Sequence, residues 1–228
     1  MTMRPRTTLF YDVDTQRDFM ESEGKLYVPG AEWISPQLAT LTQFARQHAI
    51  AVAGSVDRHY PTDPELHANG GDYPEHCMND TVGQTKVAAT TPQQPVWIEN
   101  RVYPDFELLE LLQRPGERYI EKQQFDVFAG NRNAARVFDV LLRGKEDVVV
   151  YGVVTEVCVD HAIAGLKDRP ARIHVVVDAI AALNAAQGQA TLEKWRQWGI
   201  QLTTVGEVAA SLGQRGNHGT DLSRGDAC

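Results

Sequence analysis

The chain has 228 residues, 43% of them hydrophobic, which suits one α/β domain with a sizeable core. Its 22 Lys and Arg stand against 30 Asp and Glu, a net charge of -8, and an acidic chain without a basic cluster argues against nucleic-acid or anionic-membrane partners. No apolar run approaches the roughly 20 residues of a membrane span, Met1 to Arg6 is polar rather than a signal core, and three scattered cysteines make no disulfide framework, so a cytoplasmic protein is expected.

Thr8 to Val13 reads as a first strand. Leu38 to Gln47 reads as a helix, with Ser35 as N-cap and Pro36 at its first position. Ile50 to Val56 and Val96 to Ile98 are strand-like, Phe106 to Leu112 is helical, and Arg118 to Glu121 is strand-like. Ala134 to Leu142 is amphipathic. Val148 to Val154 is a β-branched strand, Val157 to Leu166 a helix, Ile173 to Val177 a buried-type strand and Leu192 to Trp198 a helix. Unbroken Val/Ile runs mark strands buried on both faces, and their alternation with helices implies right-handed crossovers. The expected fold is therefore a three-layer, doubly wound (Rossmann-like) α/β domain, with a mostly parallel sheet and helices on both faces. It should span residues 1–212. The polar, Gly-containing tail Gly213 to Cys228 has the composition of a disordered segment.

In such sheets the site lies beyond the carboxyl ends of the strands. Asp14, Asp57, His59, Lys122 and Cys158 each follow a strand and should converge there. Thr155 is a candidate N-cap that places Cys158 in a first helical turn, where unsatisfied N–H groups favour a thiolate. The same N–H groups can hold an oxyanion. A buried cysteine packed like alanine is the alternative. Asp14 could take the thiol proton and return it to a leaving amine, and Lys122 would keep that carboxylate ionised. Taken singly, each could equally be a surface charge or a cap.

The loop from Val56 to Thr81 carries His59, His67 and His76. Asp57-Arg-His59 supplies a carboxylate and an imidazole as a Zn²⁺ or Fe²⁺ site would use, with Mn²⁺ a further option. His67 and His76 could close the site, and Glu65 is a spare carboxylate. Solvated loop histidines are the alternative. Phe19 and Tyr73 could flank a flat heteroaromatic substrate, although Phe19 could also be ordinary core.

Together these segments resemble the isochorismatase-like cysteine hydrolases, and within them the nicotinamidase/pyrazinamidase group, over roughly Leu9 to Val208. The motifs are Asp14-Thr-Gln-Arg-Asp-Phe19, Lys122-Gln-Gln-Phe-Asp-Val-Phe128 and Gly152-Val-Val-Thr-Glu-Val-Cys-Val159. The resemblance implies a triad of Asp14, Lys122 and Cys158 and an oxyanion hole from the N–H groups of Val154 and Cys158. It also implies a cis peptide at Val153–Val154. Asp57-Arg-His59 and Pro74-Glu-His-Cys77 resemble the group's metal motif, implying Asp57, His59, His67 and His76 as ligands. The activity implied is hydrolysis of nicotinamide to nicotinate and ammonia, as in NAD salvage, by a homodimer or tetramer. Three positions depart from the pattern. Arg58 stands where an aromatic is common, Tyr73 where tryptophan is common, and Asp80 where a glycine is usual. Three rival readings stay open. One is an amidase for carbamoyl or acyclic amides on the same scaffold, and another is a non-catalytic metal- or ligand-binding protein. The third is a thiol-redox protein using Cys77 and Cys158, which the lack of Cys-x-x-Cys disfavours.

Overall fold

A computed structural model describes residues 2–213. Seven strands form one sheet: β1 (Thr8–Val13), β2 (Ala51–Asp57), β3 (Pro95–Ile98), β4 (Glu117–Lys122), β5 (Asp147–Val153), β6 (Arg172–Ala181) and β7 (Gln201–Thr203). Their order is β3-β4-β2-β1-β5-β6-β7, and every neighbouring pair is parallel. The helices are α1 (Arg17–Met20), α2 (Ser35–Gln47), α3 (Asp105–Gln113), α4 (Val127–Gly130), α5 (Ala134–Leu141), α6 (Asp160–Leu166), α7 (Ala185–Gln197) and α8 (Val205–Gly213). Among the described residues no helix is long and apolar enough to cross a membrane.

Strand periodicity sorts the core into two layers. Leu9, Tyr11 and Val13 of β1, with Val148 and Val150 of β5, face α3, α5, α6 and α7 through Leu108, Phe138, Ile163 and Trp195. Phe10, Val149, Tyr151 and Val153 face the other way, onto Phe19 of α1, Leu38 and Leu41 of α2 and Val208 and Leu212 of α8. Both faces of β1 and β5 are thus covered, which is why their sequences run apolar without alternation.

Several boundaries differ from the sequence reading. Ser35 is the first residue of α2 rather than its cap, and Ile34 sits at the cap position. Thr155 likewise does not cap. Residues Thr155–Val159 form a wide π-helical turn entered from Val154, and α6 follows it directly. Helix α7 begins at Ala185, well before Leu192, because the Asn184 side chain accepts the Gln187 N–H at 3.0 Å. The short elements α1, α4 and β7, and helix α8, carry too little periodicity to read. Of the tail Gly213 to Cys228, Gly213 closes α8, and the remainder lies outside the described residues.

The sheet is tightest beside its switch point. Gly152 of β5 pairs with Val13 of β1 and holds φ at +118°. A Cβ there would lie 2.0 Å from the Val13 carbonyl oxygen, a backbone atom that cannot yield. Only glycine allows this backbone conformation and this approach. Gly152→Ala should therefore lose more than about 2 kcal/mol of stability. In a domain this size that lowers Tm by at least about 4 °C. Gly206→Ala in α8, whose nearest neighbour would be 4.0 Å away, should leave Tm unchanged or raise it. Thermal melts of the two variants check this.

Candidate active site and metal centre

Four strand ends meet at the point where the chain's winding reverses. Asp14 follows β1, Asp57 ends β2, Lys122 ends β4, and Cys158 lies in the turn after β5. Asp14 leaves the strand with φ +49°, and the Val153–Val154 peptide is cis. All four side chains are buried, Lys122 and Asp14 completely.

The Lys122 ammonium is the hub. Its Nζ lies 3.0 Å from Asp14 Oδ2 and 3.7 Å from Cys158 Sγ, and it donates a short hydrogen bond to Asp57 Oδ1. Burial alone would lower the lysine pKa, but Asp14 and Asp57 raise it well above the ordinary value, so it stays charged. Asp57 is held well below the carboxylate range, because Lys122, His76 and His59 outweigh its burial. Asp14 is pushed up by burial, with Lys122 opposing.

The cysteine departs from expectation. A helical first turn was expected to favour the thiolate. Burial instead pushes the Cys158 thiol well above its ordinary value, Lys122 only partly offsets this, and Asp14 and Asp57 add to it. The thiol therefore depends on Lys122 for the positive charge that favours its ionisation.

A second buried cluster adjoins the first. Asp57, His59, Glu65 and His76 each present one ligand atom to a common point. His76 Nε2 is 3.7 Å from Asp57 Oδ2, His59 Nε2 is 3.9 Å from Asp57 Oδ2, and both ring nitrogens are 3.8 Å from Glu65 Oε1. A tetrahedral ion with bonds of about 2.0–2.1 Å separates its donors by roughly 3.4 Å, so a small contraction closes the site. The opposite atoms are already engaged. His59 Nδ1 is 3.1 Å from Asp63 Oδ2, His76 Nδ1 donates to the Pro74 carbonyl at 2.7 Å, and Glu65 Oε2 accepts the Phe125 N–H at 2.6 Å. Such outer bonds orient metal ligands. His59 Nε2 is buried without a hydrogen-bond partner, and its lone pair is one that a cation would satisfy. The donor set fits Zn²⁺, Fe²⁺ or Mn²⁺. Burial and the nearby Asp57 charge raise Glu65 to about 7.

His67 does not join this cluster. It lies exposed at the start of a 3-10 turn, His67–Asn69, and Glu65 occupies the fourth place. The carboxylate weighed as a spare is the buried one. Asp63 and Phe125 were missed, since they act through an outer bond and a backbone N–H that no spacing reveals.

Members of both clusters line one narrow pocket. Asp57, Glu65 and His76 line one part and Cys158 another, beneath Phe19, Leu26, Tyr73, Phe125 and Leu183. Phe19 and Tyr73 flank His76, with ring centroids 5.4 Å and 6.0 Å away. A roomier surface groove of about 520 Å³ bounded by Arg17, Lys86 and Trp97 lies elsewhere. Its lining includes no cysteine, serine or histidine, and its cations are already paired, Arg17 with Glu21 and Lys86 with Asp12. Asp80, standing where glycine is usual, adopts φ +62°.

A family model described as the Isochorismatase domain matches residues 9–207. An isochorismatase family protein of Bacillus subtilis (strain 168), PncA, is 26% identical over 176 residues, covering 75% of this chain and 85% of that one. The pyrazinamidase of Pyrococcus horikoshii, solved in complex with zinc, superposes with a TM-score of 0.69 at 21% identity, over 87% of this chain and 99% of that chain. The N-carbamoylsarcosine amidase of Thermoplasma acidophilum superposes with a TM-score of 0.64 at 23% identity, over 87% and 96%. At these identities the two structures share the fold.

Two outcomes follow from the geometry. Lys122→Met should cost about 3–5 kcal/mol in urea unfolding, because it strands two buried carboxylates. Glu65→Ala should lower affinity for Zn²⁺ by at least about tenfold in a chelator-competition titration, while His67→Ala leaves it unchanged.

Proposed function

We propose, from the premise that this chain belongs to the isochorismatase family, that it is a metal-dependent cysteine amidohydrolase converting nicotinamide to nicotinate and ammonia. The observation that carries this reading is one narrow pocket lined both by the Cys158 thiol and by Asp57, Glu65 and His76 of the four-donor cluster. The pocket's aromatic and aliphatic walls, Phe19, Leu26, Tyr73, Phe125 and Leu183, suit the faces of a flat, neutral ring, and among the described residues its lining includes neither lysine nor arginine.

Asp14 takes the Cys158 proton as sulfur attacks the carboxamide carbon. The developing oxyanion rests on the N–H groups of Val154 and Cys158. The C–N bond then breaks, and ammonia departs with the proton from Asp14, leaving a thioester. A water molecule gives its proton to Asp14 and attacks the acyl carbon. Sulfur leaves as thiolate and recovers the proton, and the acid is released. Lys122 holds Asp14 in place and limits the charge that builds up when the thiolate forms. A divalent cation held by Asp57, His59, Glu65 and His76 would supply a Lewis-acid anchor for the pyridine nitrogen.

Ammonia release from nicotinamide by purified protein, with a chelator-treated sample alongside, tests the reading. Release that the chelator abolishes and added metal restores is the expected result. Cys158→Ala should reduce it by about a thousandfold or more while keeping metal content. Release from N-carbamoylsarcosine but not from nicotinamide would overturn the substrate, and chelator-resistant release would overturn the metal.

A further inference from the structure

The five-residue segment after β1 does more than carry Asp14. Gln16 and Asp18 are buried, and neither enters the chemistry above. The Gln16 side chain grips the end of β2 from both sides. Its Oε1 accepts the Asp57 N–H at 2.6 Å, and its Nε2 donates to the Asp57 carbonyl at 2.7 Å and to the Gln84 carbonyl at 2.7 Å. Asp18 grips the loop that carries His76. Its Oδ2 accepts the Cys77 N–H at 2.6 Å, and its Oδ1 accepts the Lys25 N–H at 3.0 Å.

These bonds act where the backbone would otherwise be loose. Cys77 holds φ at +44°, a left-handed conformation that a non-glycine residue keeps only when its surroundings impose it. Gly83 packs so closely on Asp18 that a Cβ there would lie 2.2 Å from the carboxylate. Alternate residues of Asp14-Thr-Gln-Arg-Asp18 therefore face three tasks: the general base, the strand bearing Asp57, and the turn bearing His76.

We infer that Gln16 and Asp18 are positioning residues for the metal ligands. They fix Asp57 and His76 relative to Asp14, and so set the cation at one distance from the attacked carbon. This inference rests on the metal reading above. Isosteric changes that delete these bonds should loosen the ligand cage and leave the thiol cluster in place.

The test uses Gln16→Met and Asp18→Asn in the full chain. Asparagine can accept only one of the two N–H groups and turns a donor towards the other. Zn²⁺ affinity is measured by competition with a chelating dye, Cys158 reactivity by iodoacetamide alkylation of the metal-free proteins, and folding by melting them. The expected result is a ten- to hundredfold loss of Zn²⁺ affinity in both variants. Alkylation rates should stay within about threefold of wild type, and KM for nicotinamide should rise more than kcat falls. Wild-type affinity in either folded variant overturns the role of that residue. Parallel loss of alkylation and metal binding overturns it too, since the residue would then support the whole site. Absence of Zn²⁺ binding by the wild-type protein would instead sink the metal reading itself.

Discussion

A fully buried lysine ammonium holds this site together. Lys122 must find its counter-charges within the protein, and it finds Asp14 just past β1 and Asp57 at the end of β2. An unpaired buried charge costs several kcal/mol, so the three strand ends are bound to one another. The thiol cluster and the integrity of the sheet's carboxyl edge therefore share one electrostatic knot. Cys158 joins it from the turn after a fourth strand, 3.7 Å from the same nitrogen.

Asp57 passes this constraint on. One of its oxygens is taken by Lys122, and the other faces His59 and His76. The metal-type cluster and the thiol cluster are thus two sides of one carboxylate. Moving either cluster would disturb the other, which gives the pair a common rigidity. The aromatic side chains above them close the pocket and keep the local dielectric low, so these charge interactions are stronger than they would be in water.

Much of this was legible beforehand. The Val-rich runs announced buried parallel strands, and the rule that sites lie beyond strand ends ranked Asp14, Asp57, Lys122 and Cys158 together. The errors have local causes. Ser35 and Thr155 have cap-forming side chains, but the chain enters each helix one residue earlier. His67 looked like a ligand because histidines are conspicuous in a loop, whereas Glu65 is turned inward by the Phe125 N–H. The helical turn around Cys158 is legible in the sequence, whereas the burial that pushes its thiol upward is not.

The sequence by itself determined the layer architecture, because hydrophobic periodicity is a local property that each strand and helix carries alone. It also determined which residue types sit at strand ends, since those follow directly from strand boundaries. Only the tertiary structure decided which donors meet. Whether residue 65 or 67 faces the common point depends on the path of a loop with no periodicity, set by local backbone bonds and by one hydrogen bond to a residue 60 positions away. The protonation states were decided there too, because burial and the number of charges around one ammonium exist only after the strands have come together.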